Sequence, residues 1–142
     1  MIRGSCLCGD IQYEIDQVVG PFELCHCSRC RKTSGSAFAA VFGVRNAEFR
    51  FRSGRERIRT FEVPRRNATA GYRTAFCGRC GSPVPDPDAR TVWLEVPAGT
   101  LDTDPGLRPE RHVHVHRESP WFEMADELPQ LNASELEVLR RS

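Results

Sequence analysis

Cys77-Gly78-Arg79-Cys80 is a C-x-x-C stretch, and its counterpart is the C-x-C stretch Cys6-Leu7-Cys8, which lies roughly seventy residues earlier in the chain. Thiolates at these spacings converge on one soft metal ion, and two such pairs make the closed tetrahedral Cys₄ set of a structural zinc site. A metal held in this way joins two distant segments and contributes directly to the folding free energy. We therefore expect Cys6, Cys8, Cys77 and Cys80 to bind a structural zinc that organises the fold.

The other three cysteines all fall within the stretch Cys25-His26-Cys27-Ser28-Arg29-Cys30. Three thiolates can hold a zinc ion while leaving one position open, and catalytic zinc needs an open position. Water, a substrate or His26 would complete the coordination shell. Because an all-thiolate zinc is soft, its exchangeable ligand would be another sulfur. The cluster therefore predicts a catalytic zinc held by Cys25, Cys27 and Cys30 that acts on a thiol or a thiol adduct.

Two alternatives remain open at this level. In the first, His26 or a distant histidine closes the second site, which would then be structural. In the second, a local zinc site is built from the two cysteine groups nearest the N-terminus, namely Cys6, Cys8, Cys25 and Cys27. The C-x-x-C pair would then join Cys30. The grouping of the C-x-C with the C-x-x-C pair is favoured because these two knuckles complement each other in ribbon-like zinc sites.

Composition narrows the class of protein. The chain has 142 residues, which suits one domain spanning residues 1–142 with its own core. Its seven cysteines are an odd number, and clustered cysteines without a leader-like or membrane-spanning apolar run are typical of metal ligands in a cytoplasmic protein. The formal net charge of +1 provides no general field for nucleic acid or a membrane surface. We expect a cytoplasmic metalloprotein with neither of these partners.

Apolar alternation predicts mostly β-strands. Ile11, Tyr13 and Ile15 alternate with polar residues, and similar signals occur near Phe22, in 37–44, at Phe49 and in 58–63, 72–76 and 92–96. Residues 31–36 are small and polar, which predicts a loop or a single helical turn. Residues 64–71 are rich in breakers and predict a loop.

Two further signals lie in the C-terminal third. His112, His114 and His116 alternate with valines, so a strand would carry all three on one face, and we expect them to be exposed. Ser134 is followed three residues later by Glu137, which predicts a capping box at the start of a short C-terminal helix.

The chain resembles the glutathione-dependent formaldehyde-activating enzyme family, which includes centromere protein V. The resemblance runs from Gly4 to about Leu131 and is carried by motifs in a fixed order. These are Gly4-Ser5-Cys6-Leu7-Cys8-Gly9, Cys25-His26-Cys27-Ser28-Arg29-Cys30-Arg31-Lys32, Ser34-Gly35-Ser36-Ala37-Phe38, Phe76-Cys77-Gly78-Arg79-Cys80-Gly81-Ser82, Ala98-Gly99-Thr100-Leu101-Asp102, His112, Pro120-Trp121 and Asp126-Glu127-Leu128-Pro129.

The resemblance implies a mostly-β, Mss4-like, zinc-stapled fold with two zinc ions per chain, on the same two ligand sets as above. The implied activity is that of a carbon–sulfur lyase, which joins glutathione and formaldehyde reversibly to give S-hydroxymethylglutathione. Arg31 or Lys32 would steady anionic groups of the substrate, and a loop including Ser34 and Gly35 would border its pocket. The alternative is a catalytically inactive, zinc-stabilised binding or adaptor module. A small thiol is the expected partner, and a homodimer is a possible assembly.

Overall fold

The computed structural model describes residues 1–63, 72–88 and 92–142, to which all structural statements here refer. The strands are β1 (Ile2–Ser5), β2 (Gln12–Ile15), β3 (Phe22–Cys25), β4 (Ala39–Arg45), β5 (Phe49–Ser53), β6 (Ile58–Val63), β7 (Tyr72–Cys77), β8 (Trp93–Pro97), β9 (Arg111–Val113) and β10 (Gln130–Leu131). The helices are α1 (Ser28–Ser34) and α2 (Ala133–Arg141). The predicted mostly-β fold with a short C-terminal helix is confirmed. The predicted loop at 64–71 lies outside the described residues.

The strands form three sheets. One has the order β1-β2-β5, a second has the order β10-β9-β3-β4-β8, and the third is the hairpin β6-β7. Within the second sheet, β9 runs parallel to both β3 and β10, whereas β4 is antiparallel to its neighbours. The parallel β3–β9 pair brings the end of β3, which carries Cys25, beside Val113.

The main core lies between the first two sheets. Tyr13 and Ile15 of β2 pack against apolar side chains of the five-stranded sheet, which are Phe22, Phe42, Val44, Leu94 and Val96. Burying a side chain of this kind stabilises the fold by about 1.5–3 kcal/mol. Ile11, Tyr13 and Ile15 are each at most 1% exposed, so the alternation in this stretch correctly indicated an apolar buried face. The opposite face is not fully exposed, since Glu14 is buried at 3% exposure.

The β6–β7 hairpin is attached through a separate apolar cluster. This cluster contains the buried residues Cys6, Ile11, Ala75, Cys77 and Val84. A two-stranded hairpin is at best marginally stable alone. The hairpin therefore depends on its contacts with the first cysteine pair. Cys6, Cys8, Cys77 and Cys80, with the apolar residues around them, connect the hairpin to the rest of the fold.

Two local predictions were wrong in their boundaries. Residues 31–36 were expected to form a loop or a single turn, but helix α1 begins at Ser28 and ends at Ser34, because the Cys27 sulfur caps its first turn and Gly35 closes it at φ 64°. The C-terminal helix is capped by Asn132, whose side chain accepts from the Glu135 N–H, and not by Ser134. Both residue types are good caps, so the sequence alone left the start of the helix ambiguous.

The expected row of three exposed histidines is also wrong. Strand β9 ends at Val113, and His114 adopts a left-handed conformation with φ 55° before a turn at Val115–Arg117. Side chains alternate between faces only while the backbone stays extended. As a result His112 is buried, at 1% exposure, and its environment differs from that of the other two histidines. No helix in the described parts of the chain is long and apolar enough to cross a membrane.

Candidate metal centres and active site

The first cysteine cluster brings the C-x-C motif and the C-x-x-C motif together. The sulfurs of Cys6, Cys8, Cys77 and Cys80 all lie within 4.8 Å of one another. The Cys6–Cys8 and Cys8–Cys77 sulfur separations are 3.5 and 3.8 Å. Four sulfurs placed tetrahedrally about 2.3 Å from a zinc ion would be about 3.8 Å apart. The four thiols therefore fit a tetrahedral zinc.

Backbone amides point at sulfurs of this cluster. The Ile11 N–H donates to Cys6 Sγ at 3.3 Å, and the Arg79 N–H donates to Cys77 Sγ at 3.4 Å. Gly81, with φ 77°, closes the second knuckle in a conformation that L side chains rarely adopt. Such donors stabilise thiolate more than thiol, which is the form that binds metal.

The second cluster is assembled locally from the end of β3 and the start of α1. The sulfurs of Cys25, Cys27 and Cys30 also lie within 4.8 Å of one another. Cys27 Sγ accepts a hydrogen bond from the Cys30 N–H at 3.3 Å. Within the described ranges, the cysteines form these two groups, so the alternative set that combined Cys6 and Cys8 with Cys25 and Cys27 is not assembled.

The chemistry of the three clustered thiols also favours a cation. Hydrogen bonds with the Cys25 and Cys27 sulfurs raise the pKa of the Cys30 thiol, and burial raises it further. Three sulfurs this close cannot all ionise next to one another without a compensating positive charge. A divalent metal would supply that charge, and a soft one would match sulfur ligands.

His26 does not join the second cluster, although it lies between two of its cysteines. Its ring instead meets another buried histidine, with His26 Nε2 2.7 Å from His112 Nδ1. Both side chains are at most 1% exposed. His112 Nε2 in turn lies 2.9 Å from the Asp126 carboxylate. This geometry therefore argues against His26 as the fourth ligand of the second site.

The His26–His112–Asp126 chain was missed as a structural unit by the sequence analysis. Phe38 and Phe122 surround it, with ring centroids 5.4 and 6.2 Å from that of His26. The signal that could have found it was the joint occurrence of His112 and the Asp126-Glu127-Leu128-Pro129 motif in the resemblance. Nothing in the local pattern indicated that these residues meet His26.

Helix α2 covers the second cluster from the C-terminal side. Leu136 is buried against Cys25 and Val113. Arg140 of the same helix pairs with the buried carboxylate of Glu23 at 3.3 Å, and Arg111 of β9 pairs with it at 2.6 Å. The helix is thereby held against β3 and β9, where it screens the cluster from solvent.

A cavity of about 970 Å³ lies beside both clusters, with Cys30 in one part of its lining and Cys6 in another. Tyr72 also lines it, and the Tyr72 hydroxyl is 3.9 Å from Cys30 Sγ and 3.3 Å from Thr33 Oγ1. Burial raises the pKa of Tyr72, so its hydroxyl stays protonated. The cavity thus presents a hydroxyl donor beside a sulfur of the second cluster.

The residues predicted to contact substrate differ in their positions. Ser34 lines the cavity. The Arg31 guanidinium is turned to Ser119, donating to its Oγ at 3.3 Å. Lys32 is exposed, and Gly35 serves as the cap of α1.

Similar proteins identify the family of this chain. The family model described as glutathione-dependent formaldehyde-activating enzyme matches residues 1–117. The chain belongs to this family. A curated relative from Halomonas elongata is 30% identical over 127 residues, covering 87% of this chain and 81% of its own. The name of that relative provisionally assigns it as a glutathione-dependent formaldehyde-activating enzyme.

A solved structure shares the fold of this family member. The crystal structure of a Rhodobacter sphaeroides protein from a structural genomics programme is 25% identical to it, with a TM-score of 0.53. The match covers 75% of this chain and 91% of the Rhodobacter protein.

Proposed function

We propose that the protein is a zinc-dependent enzyme of the carbon–sulfur lyase type that acts on a thiol adduct. The observation that carries the proposal is the set of three clustered cysteines, Cys25, Cys27 and Cys30, of which Cys30 lines a cavity of about 970 Å³. In the described parts of the chain no fourth histidine, cysteine or carboxylate completes this set. An inactive binding module would have no use for such an open position, so the enzyme is the better supported reading.

Two zinc ions are proposed, with different roles. The first would be held by Cys6, Cys8, Cys77 and Cys80 and would be structural, because its shell is closed by protein. The second would be held by Cys25, Cys27 and Cys30, where it supplies a soft Lewis acid with a free position suited to a substrate sulfur.

Glutathione and formaldehyde are the proposed substrates, in keeping with the family. In the addition, the thiol sulfur forms a bond to the carbonyl carbon, and the electron pair of the C=O bond moves to oxygen. That oxygen takes up one proton, which balances the proton lost by the thiol, and the product is S-hydroxymethylglutathione. The reverse reaction breaks the same carbon–sulfur bond.

Tyr72 is proposed as the donor to the substrate oxygen. The Thr33 hydroxyl lies 3.3 Å from the Tyr72 oxygen and can donate its proton to it, which leaves the single Tyr72 O–H free for the substrate. This contact holds the phenol beside the cluster, and the Arg29 guanidinium lies over the Tyr72 ring, 5.5 Å from its centroid. A donor aimed at an oxygen that gains charge stabilises the transition state more than the ground state.

Replacing Tyr72 by phenylalanine is expected to lower kcat/KM by about 10²-fold, the effect of removing one such donor. Metal content and thiol binding should stay unchanged, because the ring and its packing are kept. Steady-state kinetics with metal analysis would check this. Thr60→Val, which removes an exposed hydroxyl from the same hairpin, is the control, and equal activity of Tyr72→Phe and Thr60→Val would exclude the assigned role.

Thiol binding tests the function directly. In protein substituted with cobalt, small thiols should change the charge-transfer bands that report sulfur ligation, and glutathione should act more strongly than cysteine. Addition of formaldehyde with glutathione should then raise the rate of adduct exchange, measured by NMR at equilibrium, above the spontaneous rate. The absence of a spectral response to any thiol at millimolar concentration, with the second cluster loaded, would overturn the proposal.

A further inference from the structure

The hydrogen bonds that link Asp126, His112 and His26 all donate in one direction. The Leu128 N–H donates to Asp126 Oδ1 at 2.9 Å, and Oδ2 lies 2.9 Å from His112 Nε2. Hydrogen bonds from His112 and from the Leu128 amide lower the pKa of the Asp126 carboxyl, which is therefore ionised. An ionised carboxylate can only accept, so the proton of His112 must lie on Nε2.

The same logic extends to the second ring. With its proton on Nε2, His112 presents a lone pair at Nδ1, so it must accept from His26 Nε2–H across the 2.7 Å contact. His26 then carries its own lone pair at Nδ1. That atom is buried, and no described residue donates a hydrogen bond to it. Asp126 thus determines the tautomer of His26 from two hydrogen bonds away.

We propose that Asp126 and His112 are positioning residues for the second cysteine cluster, which they orient by holding His26 in its Nε2–H tautomer. The inference rests on the proposed metal site. The His26 backbone N–H is bonded to the Val113 carbonyl at 3.0 Å, so the hydrogen-bonded ring fixes the residue at its other end. Since His26 is flanked by Cys25 and Cys27, fixing its backbone and ring fixes the direction of both thiols.

Asp126 is the solvent-accessible end of the hydrogen-bonded row His26–His112–Asp126, since 45% of its side chain is exposed. Its replacement therefore creates no cavity in the core, unlike a change at His112. Partners of this outer kind contribute to metal sites by orienting the groups that bind the ion, and their loss typically weakens metal affinity by about 10–100-fold.

Asp126→Asn provides a specific test. His112 Nε2 lies 3.1 Å from Asp126 Oδ1, which accepts from the Leu128 N–H, and 2.9 Å from Oδ2. If the amide oxygen of the new side chain keeps the Leu128 N–H, the amide NH₂ takes the nearer Oδ2 position and donates to His112 Nε2. His112 must then carry its proton on Nδ1 and donate to His26 Nε2, which moves the His26 proton to Nδ1. In ¹⁵N NMR spectra, both rings should change from the Nε2–H to the Nδ1–H form, while the wild type shows Nε2–H in both.

Metal affinity is the second readout. A proton moved to His26 Nδ1 would be a buried donor that no described residue accepts, which displaces the ring and the neighbouring cysteines. Chelator competition should therefore show the second cluster of Asp126→Asn weaker by up to about 10–100-fold, the range for a lost partner of a metal-binding group, with the first cluster and the thermal melt unchanged. Asp126→Glu, which restores a carboxylate, should recover the Nε2–H forms. Glu127→Gln removes the neighbouring exposed carboxylate and should alter neither readout.

Either of two results would overturn the proposal: unchanged tautomers in Asp126→Asn, or unchanged metal affinity of its second cluster. Neither measurement depends on turnover. If the wild type proved inactive with glutathione and formaldehyde while Asp126→Asn still reversed the tautomers and loosened the metal, the proposed substrates would fail and the positioning role would stand.

Discussion

Cys80→Ser is expected to empty the first cluster and to abolish the cooperative thermal melt. Zinc binding at sites of this kind supplies about 10–16 kcal/mol of folding free energy, whereas a whole domain is stable by only about 5–15 kcal/mol. The β6–β7 hairpin would also lose its attachment, because the apolar cluster that holds it is built around Cys6 and Cys77. Metal analysis and circular dichroism melting of the purified variant would measure both effects.

Hydrogen exchange would locate the damage. Amides of β7 should lose protection first, since that strand delivers Cys77 to the cluster. Wild-type protein purified without chelator should contain close to two zinc ions per chain, one of them resistant to mild chelation. A near-wild-type cooperative melt for Cys80→Ser would contradict the structural role assigned to the first cluster.

Cys27→Ser should remove activity and weaken the second metal while leaving the protein folded. Cys27 caps α1 through a hydrogen bond from the Cys30 N–H to its sulfur. Serine is among the best residues at that position, so its hydroxyl can keep the cap. It is, however, a harder and poorer ligand for a soft metal site. The loss of activity should exceed the roughly 10–100-fold cost of losing an outer-shell partner.

The two serine variants form a matched pair, since each removes one sulfur atom from one cluster. Melting curves and metal-to-protein ratios measured side by side should separate them, with Cys80→Ser unfolded and Cys27→Ser folded with a depleted second site. If Cys27→Ser unfolds as completely as Cys80→Ser, the second cluster is structural, and the binding module becomes the preferred function.

Much of the arrangement could be predicted from the sequence because it depends on neighbours along the chain. The spacing of Cys25, Cys27 and Cys30 within six residues, from the end of β3 into the start of α1, allows their sulfurs to meet. Apolar alternation around Tyr13 indicated a strand with one buried face; β2 is that strand, but Glu14 on its other face is also buried, at 3% exposure. The family was identifiable for the same reason, since its motifs are short and follow one another in a fixed order.

Only the tertiary structure decided which polar side chains became buried partners. His112 and His26 are 86 residues apart and meet because β9 runs parallel to β3, a pairing that no local pattern encodes. Tyr72, at the start of β7 in a different sheet, meets Cys30 across 42 residues of sequence. Alternation in a strand indicates which side chains share a face, but whether that face is exposed depends on what packs against it. The cysteine clusters could therefore be predicted from the sequence. The hydrogen-bonded row from His26 through His112 to Asp126, and the cavity, depend on how sheets and loops pack around the clusters.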